Sequence, residues 1–332
     1  MIRTSHQESL LYCKCFRQLD VRINRWKGIV MVNLLYCIKK YLGRYYSLDE
    51  INKADEYFEK FIVKYYEKFP EMRSGIRNRQ SKRKLIISMT TIPARIDKVW
   101  ITIESLLRQT YKPDQIILWL AEDEFADMEL PKKIRQQMKR GLTVRYCGNL
   151  KSYKKFYYTM KENPNAYVIT VDDDVIYAET MVEELVKTYR YNPKSVICHR
   201  SHSIRKRSSG CVPYDSWIKY ESREEIRCEA SYANFFTGCG GVLFPTFLLD
   251  TRVLEKEEFM KLAPTADDVW LNFMCWASNL KIKNTEGILG NLIYISDFSV
   301  NGLAVQNVIK KKNDSQIKAV LDYLKIDVND YI

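Results

Sequence analysis

The 332-residue sequence lacks several features that mark common classes of protein. It has only 12 glycines, and none of them lies in residues 90–100, so the first predicted strand is not followed by a glycine-rich phosphate loop. Its nine cysteines lack zinc-finger spacing, because the one close pair, Cys13 and Cys15, has no second pair to complete a site. We therefore expect reduced thiols and no structural zinc.

The sequence also has no apolar run long enough to cross a bilayer, since the longest covers only residues 28–38. It shows no secretory signal with a small-residue cleavage site, which predicts a cytosolic protein. Basic residues flank the apolar run, and two alternatives stay open for it. It lies in a membrane surface as a basic amphipathic helix, or it packs against the main domain.

Positive charge is concentrated near the start of the chain. The formal net charge is +12, and the nine lysines and arginines within residues 1–45 face only Glu8 and Asp20. Such an excess is typical of a protein with an acidic partner, namely nucleic acid, an anionic membrane or a phosphorylated substrate. Because most of the excess lies in this segment, we expect no nucleic-acid binding by the remainder of the chain.

Short apolar strands alternate with amphipathic helices from residue 84 onward. The pattern predicts strands over 84–89, 115–120, 142–147 and 166–171, with helices over 97–109, after Pro131 and over 152–161. Three successive crossovers predict an α/β fold with a parallel, doubly wound sheet. An earlier helix is predicted over 46–70, within a basic helical extension that we place at residues 1–80.

Three adjacent aspartates, Asp172, Asp173 and Asp174, begin where the fourth predicted strand ends. Ligands of parallel sheets gather at the carboxyl ends of the strands, so these acids belong to a site rather than to the core. Alternate side chains of an extended segment point to opposite sides, so Asp172 and Asp174 share one direction. Neighbouring carboxylates repel one another, and a hard divalent cation carrying a diphosphate makes them tolerable. A solvated acidic turn is the structural alternative.

Five segments in this order resemble the GT-A glycosyltransferases, particularly the family-2-like bacterial enzymes that build surface polysaccharides. They are IISMTTIPARI, TIESLLRQTYKPDQIILWL, DDDVIY, GCGGVLFP and TADDVWL, within about residues 84–280. The resemblance implies a Rossmann-like, doubly wound, mostly parallel sheet behind a helical amino-terminal extension. It divides the chain into a nucleotide-sugar-binding half at 84–200, an acceptor-binding half at 201–300 and a helical tail at 301–332.

The implied activity is metal-dependent transfer of a sugar from a nucleotide-sugar to a hydroxyl of a glycan or lipid-linked acceptor, in capsule or other surface polysaccharide synthesis. Mn²⁺ or Mg²⁺ would be the cofactor. Glu122 stands where the family contacts uracil, which implies a UDP-sugar, although Asp123 and Glu124 are adjacent alternatives.

The resemblance also assigns roles along the predicted rim. It places Thr90, Thr91, Arg95, Glu122, Lys154, Lys155, Asp172 and Asp173 at the nucleotide-sugar, Asp174 and Asp172 at the cation, and Gly240, Gly241 and Trp270 at the acceptor. Structural alternatives stay open for a solvated Arg95, for glycines in a tight turn and for Trp270 in the core. His199 and His202 are further candidates for the metal shell, with a structural role as the alternative.

Asp267 and Asp268 lie in the first turn of a predicted helix that begins near Thr265, where the helix dipole favours an ionised carboxylate. The resemblance implies that one of them removes the proton from the acceptor hydroxyl. We favour Asp268, with Asp267 as the alternate, and expect both to be charged. A single displacement with inversion follows, whereas ordinary helix-start chemistry is the structural alternative.

Two other functions compete with this interpretation. A sugar-phosphate nucleotidyltransferase shares the sheet topology and the metal aspartates, but it needs the glycine-rich loop that this sequence lacks after its first strand. A non-catalytic basic protein that binds nucleic acid or membranes would explain the charge, but not the acidic rim. We therefore predict a cytoplasmic enzyme, either free or peripheral on the cytoplasmic face of the membrane.

Overall fold

A computed structural model of the chain describes residues 31–42, 48–78, 81–207, 210–218, 229–285, 292–295 and 312–332. Two helices come first, α1 (Met31–Leu42) and α2 (Leu48–Lys68). The predicted helical amino-terminal region is therefore present. Residues 1–30 of the predicted extension lie outside the described residues.

The strands and helices of the main domain then follow, and as far as β5 each strand is separated from the next by one or two helices. They are β1 (Leu85–Thr90), α3 (Val99–Leu107), β2 (Gln115–Ala121), α4 (Glu122–Phe125), α5 (Lys132–Met138), β3 (Leu142–Cys147), α6 (Lys154–Glu162), β4 (Tyr167–Thr170), α7 (Met181–Tyr191), β5 (Ser195–Cys198), β6 (Ser201–Ser203), β7 (Lys206–Arg207), β8 (Gly210–Cys211), β9 (Asn234–Phe236), β10 (Val242–Pro245), α8 (Lys256–Leu262), α9 (Asp267–Ala277), β11 (Lys281–Asn284) and α10 (Lys312–Leu324).

Seven of these strands form one mostly parallel sheet in the order β11-β5-β10-β4-β1-β2-β3. Strands β1, β2, β3 and β4 run parallel, with Ser88 beside Thr170 and Ile117 in the register. The predicted α/β fold with a doubly wound, mostly parallel sheet is confirmed, and each of these four strands lies within one residue of its predicted bounds.

Strand β10 is antiparallel to both of its neighbours, β4 and β5. Val242, its first residue, pairs with Thr170, the last residue of β4. Because the two strands run in opposite directions, the glycine turn before β10 lies at the edge of the sheet where the aspartates begin. The direction of one strand thus brings two distant motifs together.

The sheet separates two apolar layers, since successive strand residues face opposite sides. Ile87 and Ile169 face the layer formed with α1, α2, α3 and α7, whereas Ile86 and Val168 face the layer formed with α6, α8, α9 and α10. Burial on both faces explains why these strands read as continuous apolar runs rather than alternating ones.

Helix α1 packs into the first of these layers. Met31, Val32 and Leu35 are buried against the main domain, together with the charged residue Lys39. Of the two alternatives for residues 28–38, the described part is therefore a packed helix, and its apolar face is not presented to a membrane. Within the described ranges, no helix combines the length and apolar character that a bilayer crossing needs.

The buried hydroxyl of Thr159 connects helix α6 to strands β1 and β2 in the second layer. Trp119 Nε1 donates a hydrogen bond to Thr159 Oγ1 at 2.7 Å, and Ser88 Oγ lies 2.6 Å from the same oxygen. Replacing Thr159 by valine keeps the shape but leaves the indole N–H and the serine hydroxyl without this partner. Buried polar groups that lose a partner cost free energy of unfolding.

We predict that Thr159→Val lowers the free energy of unfolding by about 2 kcal/mol in urea titrations. The matched control is Thr143→Val, an equal change at an exposed site in β3, which should shift that free energy by less than about 0.5 kcal/mol. Equal stability of the two variants would contradict the assigned role of the Thr159 hydroxyl.

Candidate active site

The three aspartates leave the carboxyl end of β4 with alternating directions. The side chains of Asp172 and Asp174 are 31% and 23% exposed, whereas that of Asp173 is only 9% exposed. Asp172 and Asp174 thus reach towards solvent while Asp173 points inward, as expected for an extended segment. Only the outer two carboxylates have oxygen atoms accessible to a ligand.

The backbone of each aspartate is held by a different part of the chain. Asp172 N donates to Tyr177 Oη at 2.9 Å, and this hydroxyl donates to Cys239 O at 2.9 Å. Thr102 Oγ1 donates to Asp173 O, and Ile295 N donates to Asp174 O. Tyr177 and Cys239 were not among the predicted site residues, although both lie inside the motifs DDDVIY and GCGGVLFP.

Residues after β1 contact the acids rather than an open surface. Thr91 Oγ1 donates to Asp173 Oδ2 at 2.6 Å, and Arg95 Nη1 lies 2.6 Å from Asp173 Oδ1 and 3.2 Å from Asp174 Oδ2. The Thr90 hydroxyl instead donates to Trp119 O within the sheet. The structure therefore brings Thr91 and Arg95 to the aspartates, and it leaves Thr90 bound to the neighbouring strand.

Negative charge is not fully offset in this cluster. Burial, followed by the charges of Asp172 and Asp173, raises the pKa of Asp174 to about 7, despite the opposing effect of Arg95. Burial also raises the pKa of Asp173. A carboxyl group in this state gains from any cation that binds beside it.

The donors present suit a hard divalent cation. Asp172 and Asp174 supply carboxylate oxygens, which Mg²⁺ and Mn²⁺ prefer. In the part of the chain that the structure describes, no group of three or more His, Cys, Asp or Glu side chains is arranged to hold a metal ion. The acids therefore fit a cation that takes further ligands from outside the protein, as a magnesium ion does with phosphate oxygens.

Lys155 links the aspartates to a second acidic pair. Its buried Nζ lies 2.8 Å from both Asp172 Oδ1 and Asp267 Oδ2. Although burial acts in the opposite direction, these two carboxylates hold the pKa of Lys155 well above its usual range. Its neighbour Lys154 points elsewhere and lies 3.4 Å from Glu124 Oε2. Lys154 and Lys155 therefore contact different acidic residues of the rim.

Glu122 begins the short helix α4 directly after β2 and is exposed. Strand β2 ends at the same edge of the sheet as β1 and β4, because the three strands are parallel. The structure thus places Glu122 on the predicted rim. It does not bring Glu122 into the contacts that surround the aspartates.

Helix α9 begins at Asp267, and Gly238 N donates to Asp268 Oδ2 at 3.0 Å. The other oxygen, Asp268 Oδ1, is buried without a hydrogen-bond partner among the described residues. Burial, followed by the charge of Asp267, raises the pKa of Asp268 to about 7. Burial therefore opposes the ionised state that the helix dipole was expected to favour at Asp268.

The glycine turn Gly238–Gly240 approaches the second acidic pair closely. A Cβ atom on Gly238 would lie 2.7 Å from Asp268 Oδ1 and 3.0 Å from Lys155 Nζ. Gly240 packs on Arg200, and Gly241 has a positive φ of 86°. Gly240 and Gly241 were predicted to contact the acceptor, whereas Gly238 is the glycine that faces the carboxylates.

Other predicted residues lie away from this rim. Trp270 is fully buried, and its Nε1 donates to Val253 O, so the structure places it in the core rather than beside Asp268. His199 is also buried, between Met181 O and Thr285 Oγ1. Burial lowers the pKa of His199 to about 4, which fits its structural alternative.

One protein-family model matches part of the chain. Residues 94–250 match the sequence model described as Glycosyl transferase family 2, a range that includes the three aspartates and the glycine turn. No curated protein sequence matches the chain significantly.

Several solved structures are similar to the chain at low identity. The mannosyltransferase PcManGT from Pyrobaculum calidifontis, in complex with GDP-Man and Mn²⁺, shares 11% identity over 88% of this chain and 81% of its own, with a TM-score of 0.42. S. aureus TarS shares 14% identity over 72% and 70%, with a TM-score of 0.41. A 4-diphosphocytidyl-2C-methyl-D-erythritol synthase shares 12% identity over 70% and 99%, with a TM-score of 0.38.

The structural likenesses are too distant to bear on chemistry, so the family match and the fold decide the assignment. We therefore assign residues 94–250 to glycosyl transferase family 2, and the chain is a glycosyltransferase with the GT-A fold.

Proposed function

We propose that the chain transfers a sugar from a UDP-sugar to a hydroxyl of a glycan or lipid-linked acceptor, with Mn²⁺ or Mg²⁺ and with inversion. One observation carries the proposal. The part-exposed carboxylates of Asp172 and Asp174 share an edge of the sheet with the acidic pair Asp267 and Asp268, and Lys155 bridges Asp172 and Asp267. One rim thus offers a cation site and a base.

The nucleotide-sugar donor would bind beside Asp172, Asp173 and Asp174. Asp172 and Asp174 would hold the cation, with Asp172 also close to the ribose, and the bound cation would neutralise the diphosphate as it leaves. Asp173 would act indirectly, because Thr91 and Arg95 already occupy its oxygens. The exposed carboxylate of Glu122 would accept a hydrogen bond from uracil, which supports UDP as the carrier.

The acceptor would bind beside Asp268. Its Oδ1 has no described partner and can receive the hydroxyl proton, while Gly238 N holds Oδ2 in place. The hydroxyl oxygen then bonds to the anomeric carbon as the bond from that carbon to the diphosphate breaks on the opposite face. Asp267 is the weaker candidate, because its Oδ2 is paired with Lys155.

The acceptor class rests on the resemblance to bacterial enzymes of capsule and other surface polysaccharides. Gly240 and Gly241 would form the floor beneath the transferred sugar through their backbone, since Arg200 and Met181 lie where their side chains would point. Lys154 would contribute positive charge near the nucleotide from its position beside Glu124.

The first test screens nucleotide-sugars for hydrolysis and transfer with and without Mn²⁺. We expect turnover of a UDP-sugar that depends on the cation. Asp174→Asn should lower metal-stimulated turnover by about 100-fold or more, because it removes a charged ligand. The matched control is Asp127→Asn, an exposed acid of the loop after α4, which should retain wild-type turnover.

Two outcomes would overturn this donor assignment. Metal-stimulated turnover that survives in Asp174→Asn would remove the aspartates from the cation site. Release of pyrophosphate from a nucleoside triphosphate and a sugar phosphate, without transfer from any nucleotide-sugar, would instead show nucleotidyl transfer.

The second test concerns the base. Asp268→Asn should lower the rate of transfer by about 10²- to 10⁴-fold while nucleotide binding persists. In the wild type, the rate should rise with pH and level off above about 7, because Asp268 must lose its proton before it can accept one. The charged and titratable groups that face Asp268 are Asp267, Lys155, Asp172, Tyr153, Tyr214 and Cys239.

Asp267→Asn is the matched control for the base. It removes a negative charge that raises the pKa of Asp268, so the acidic limb of the rate profile should move to lower pH while activity persists. If Asp267→Asn abolishes transfer and Asp268→Asn does not, then the base has been assigned to the wrong residue of the pair.

We also propose that the basic segment 1–30 holds the enzyme on the cytoplasmic face of the membrane, where a lipid-linked acceptor is found. The full chain should float with vesicles of anionic lipid, and replacing Arg22, Arg25 and Lys27 by glutamine should release it. The control replaces three exposed basic residues in and directly after α5, namely Lys132, Arg135 and Lys139. Equal release by both variants would contradict a role for the segment.

A further inference from the structure

Residues outside the family 2 match reach the backbone of the aspartates. Within segment 292–295, Ile295 N donates to Asp174 O at 2.8 Å, and Ile293 O accepts from Ile176 N at 2.9 Å. Val175 and Tyr294 form an antiparallel bridge between these two bonds. The segment therefore lies along the residues that directly follow the predicted cation site.

Helix α1 holds both sides of this pairing. The Tyr36 hydroxyl donates to Ile176 O at 2.8 Å and accepts from Ile293 N at 3.3 Å. One turn before it, Val32 N and Asn33 N donate to the two carboxylate oxygens of Glu179, at 3.0 and 2.9 Å. The helix is thus attached to residues 176–179 by its backbone and by a side chain.

A buried ion pair holds segment 292–295 from the other side. Lys39 Nζ donates to Leu292 O and to Asp55 Oδ1, and Asp55 Oδ2 accepts from Tyr294 N at 3.4 Å. Lys39 belongs to α1 and Asp55 belongs to α2. Lys39 and Asp55 therefore contact each other, and each of them also holds one backbone group of segment 292–295.

Burial opposes both charges of this pair, since it lowers the pKa of Lys39 and raises that of Asp55. Buried ion pairs often contribute less stability than apolar residues of similar volume, because desolvation offsets their attraction. The contribution of Lys39 and Asp55 is therefore better sought in the backbone atoms that they hold than in overall stability.

We infer that Tyr36, Lys39 and Asp55 are positioning residues for Asp174. They fix segment 292–295, which fixes the backbone of Asp174 and thereby the direction of its carboxylate. None of the three lies at the rim, and each acts through the segment. The consequence for cation binding rests on the proposed function, whereas the effect on the backbone does not.

The test replaces the ion pair by apolar residues of similar size, in the double variant Lys39→Met with Asp55→Leu. We expect an unfolding midpoint close to that of the wild type, because both charges are removed together. Amide hydrogen exchange in residues 172–176 should become faster, and affinity for Mn²⁺ in the presence of UDP should fall about tenfold by calorimetry. Tyr36→Phe, which removes one hydroxyl, should change both measurements in the same direction.

A second double variant provides the matched control. Arg77→Met with Asp114→Leu removes another ion pair that also holds backbone, since Asp114 Oδ2 accepts from Leu85 N at 2.6 Å. This pair lies at the amino ends of β1 and β2, on the edge of the sheet opposite the aspartates. Even if this control variant is less stable than the wild type, its amide hydrogen exchange in residues 172–176 and its affinity for Mn²⁺ should match those of the wild type.

The outcomes separate this inference from the proposed function. Wild-type exchange in residues 172–176 in both the Lys39/Asp55 variant and Tyr36→Phe would overturn the inference. Failure of the wild type itself to bind Mn²⁺ with UDP would overturn the proposed cation site, while faster exchange in the variants would still confirm the link to Asp174. If the double variant does not fold, Tyr36→Phe alone decides.

Discussion

Repulsion among three adjacent carboxylates is the constraint around which the rim is arranged. The residues sit where a buried strand ends, so water can stabilise only part of their charge. Arg95 lies between two of them and Lys155 contacts the third, yet the pKa of Asp174 still stands at about 7. Two cations therefore do not balance the cluster. The remaining negative charge is the property that makes this edge of the sheet attractive to a divalent ion.

Carboxylates that repel one another keep a defined geometry only if their backbone is held. Here two of the holding groups are distant in sequence, namely Thr102 in α3 and Ile295 in the segment beside α1. The third is the nearby Tyr177 hydroxyl, which donates to the distant carbonyl of Cys239. Buried backbone groups must be paired in any case, and here those pairs also fix the aspartates. Of these groups, Ile295 comes from outside residues 94–250, and it connects Asp174 to the segment that α1 and α2 hold.

Periodicity and strand length were enough to predict four parallel strands of the sheet and the edge at which the aspartates lie, but not the antiparallel strand β10 beside them. The burial and the contacts of individual side chains were harder to predict. The first turn of α9 predicted an ionised Asp268, but the pKa of that group depends on burial beneath the glycine turn, which comes from a distant part of the chain. Trp270 belongs to a helix that is apolar all round, and the sequence alone does not show which face meets the core. Likewise, the sequence predicted an apolar face on α1, but it did not predict which layer of the main domain covers that face.

Lys155 shows how a predicted position at the rim can come with contacts that the sequence does not predict. A lysine at the start of α6 was expected to answer the charge of a diphosphate. In the structure its ammonium is buried between Asp172 and Asp267, so its charge is already shared by two acids. Asp172 and Asp267 contact the same ammonium group, so their charges are coupled. A substitution at Asp172 would therefore change the electrostatic surroundings of Asp267 at the start of α9. The cation side and the base side of the rim therefore form one electrostatic unit, in which loss of Lys155 would disturb both and cannot be interpreted as loss of a phosphate contact.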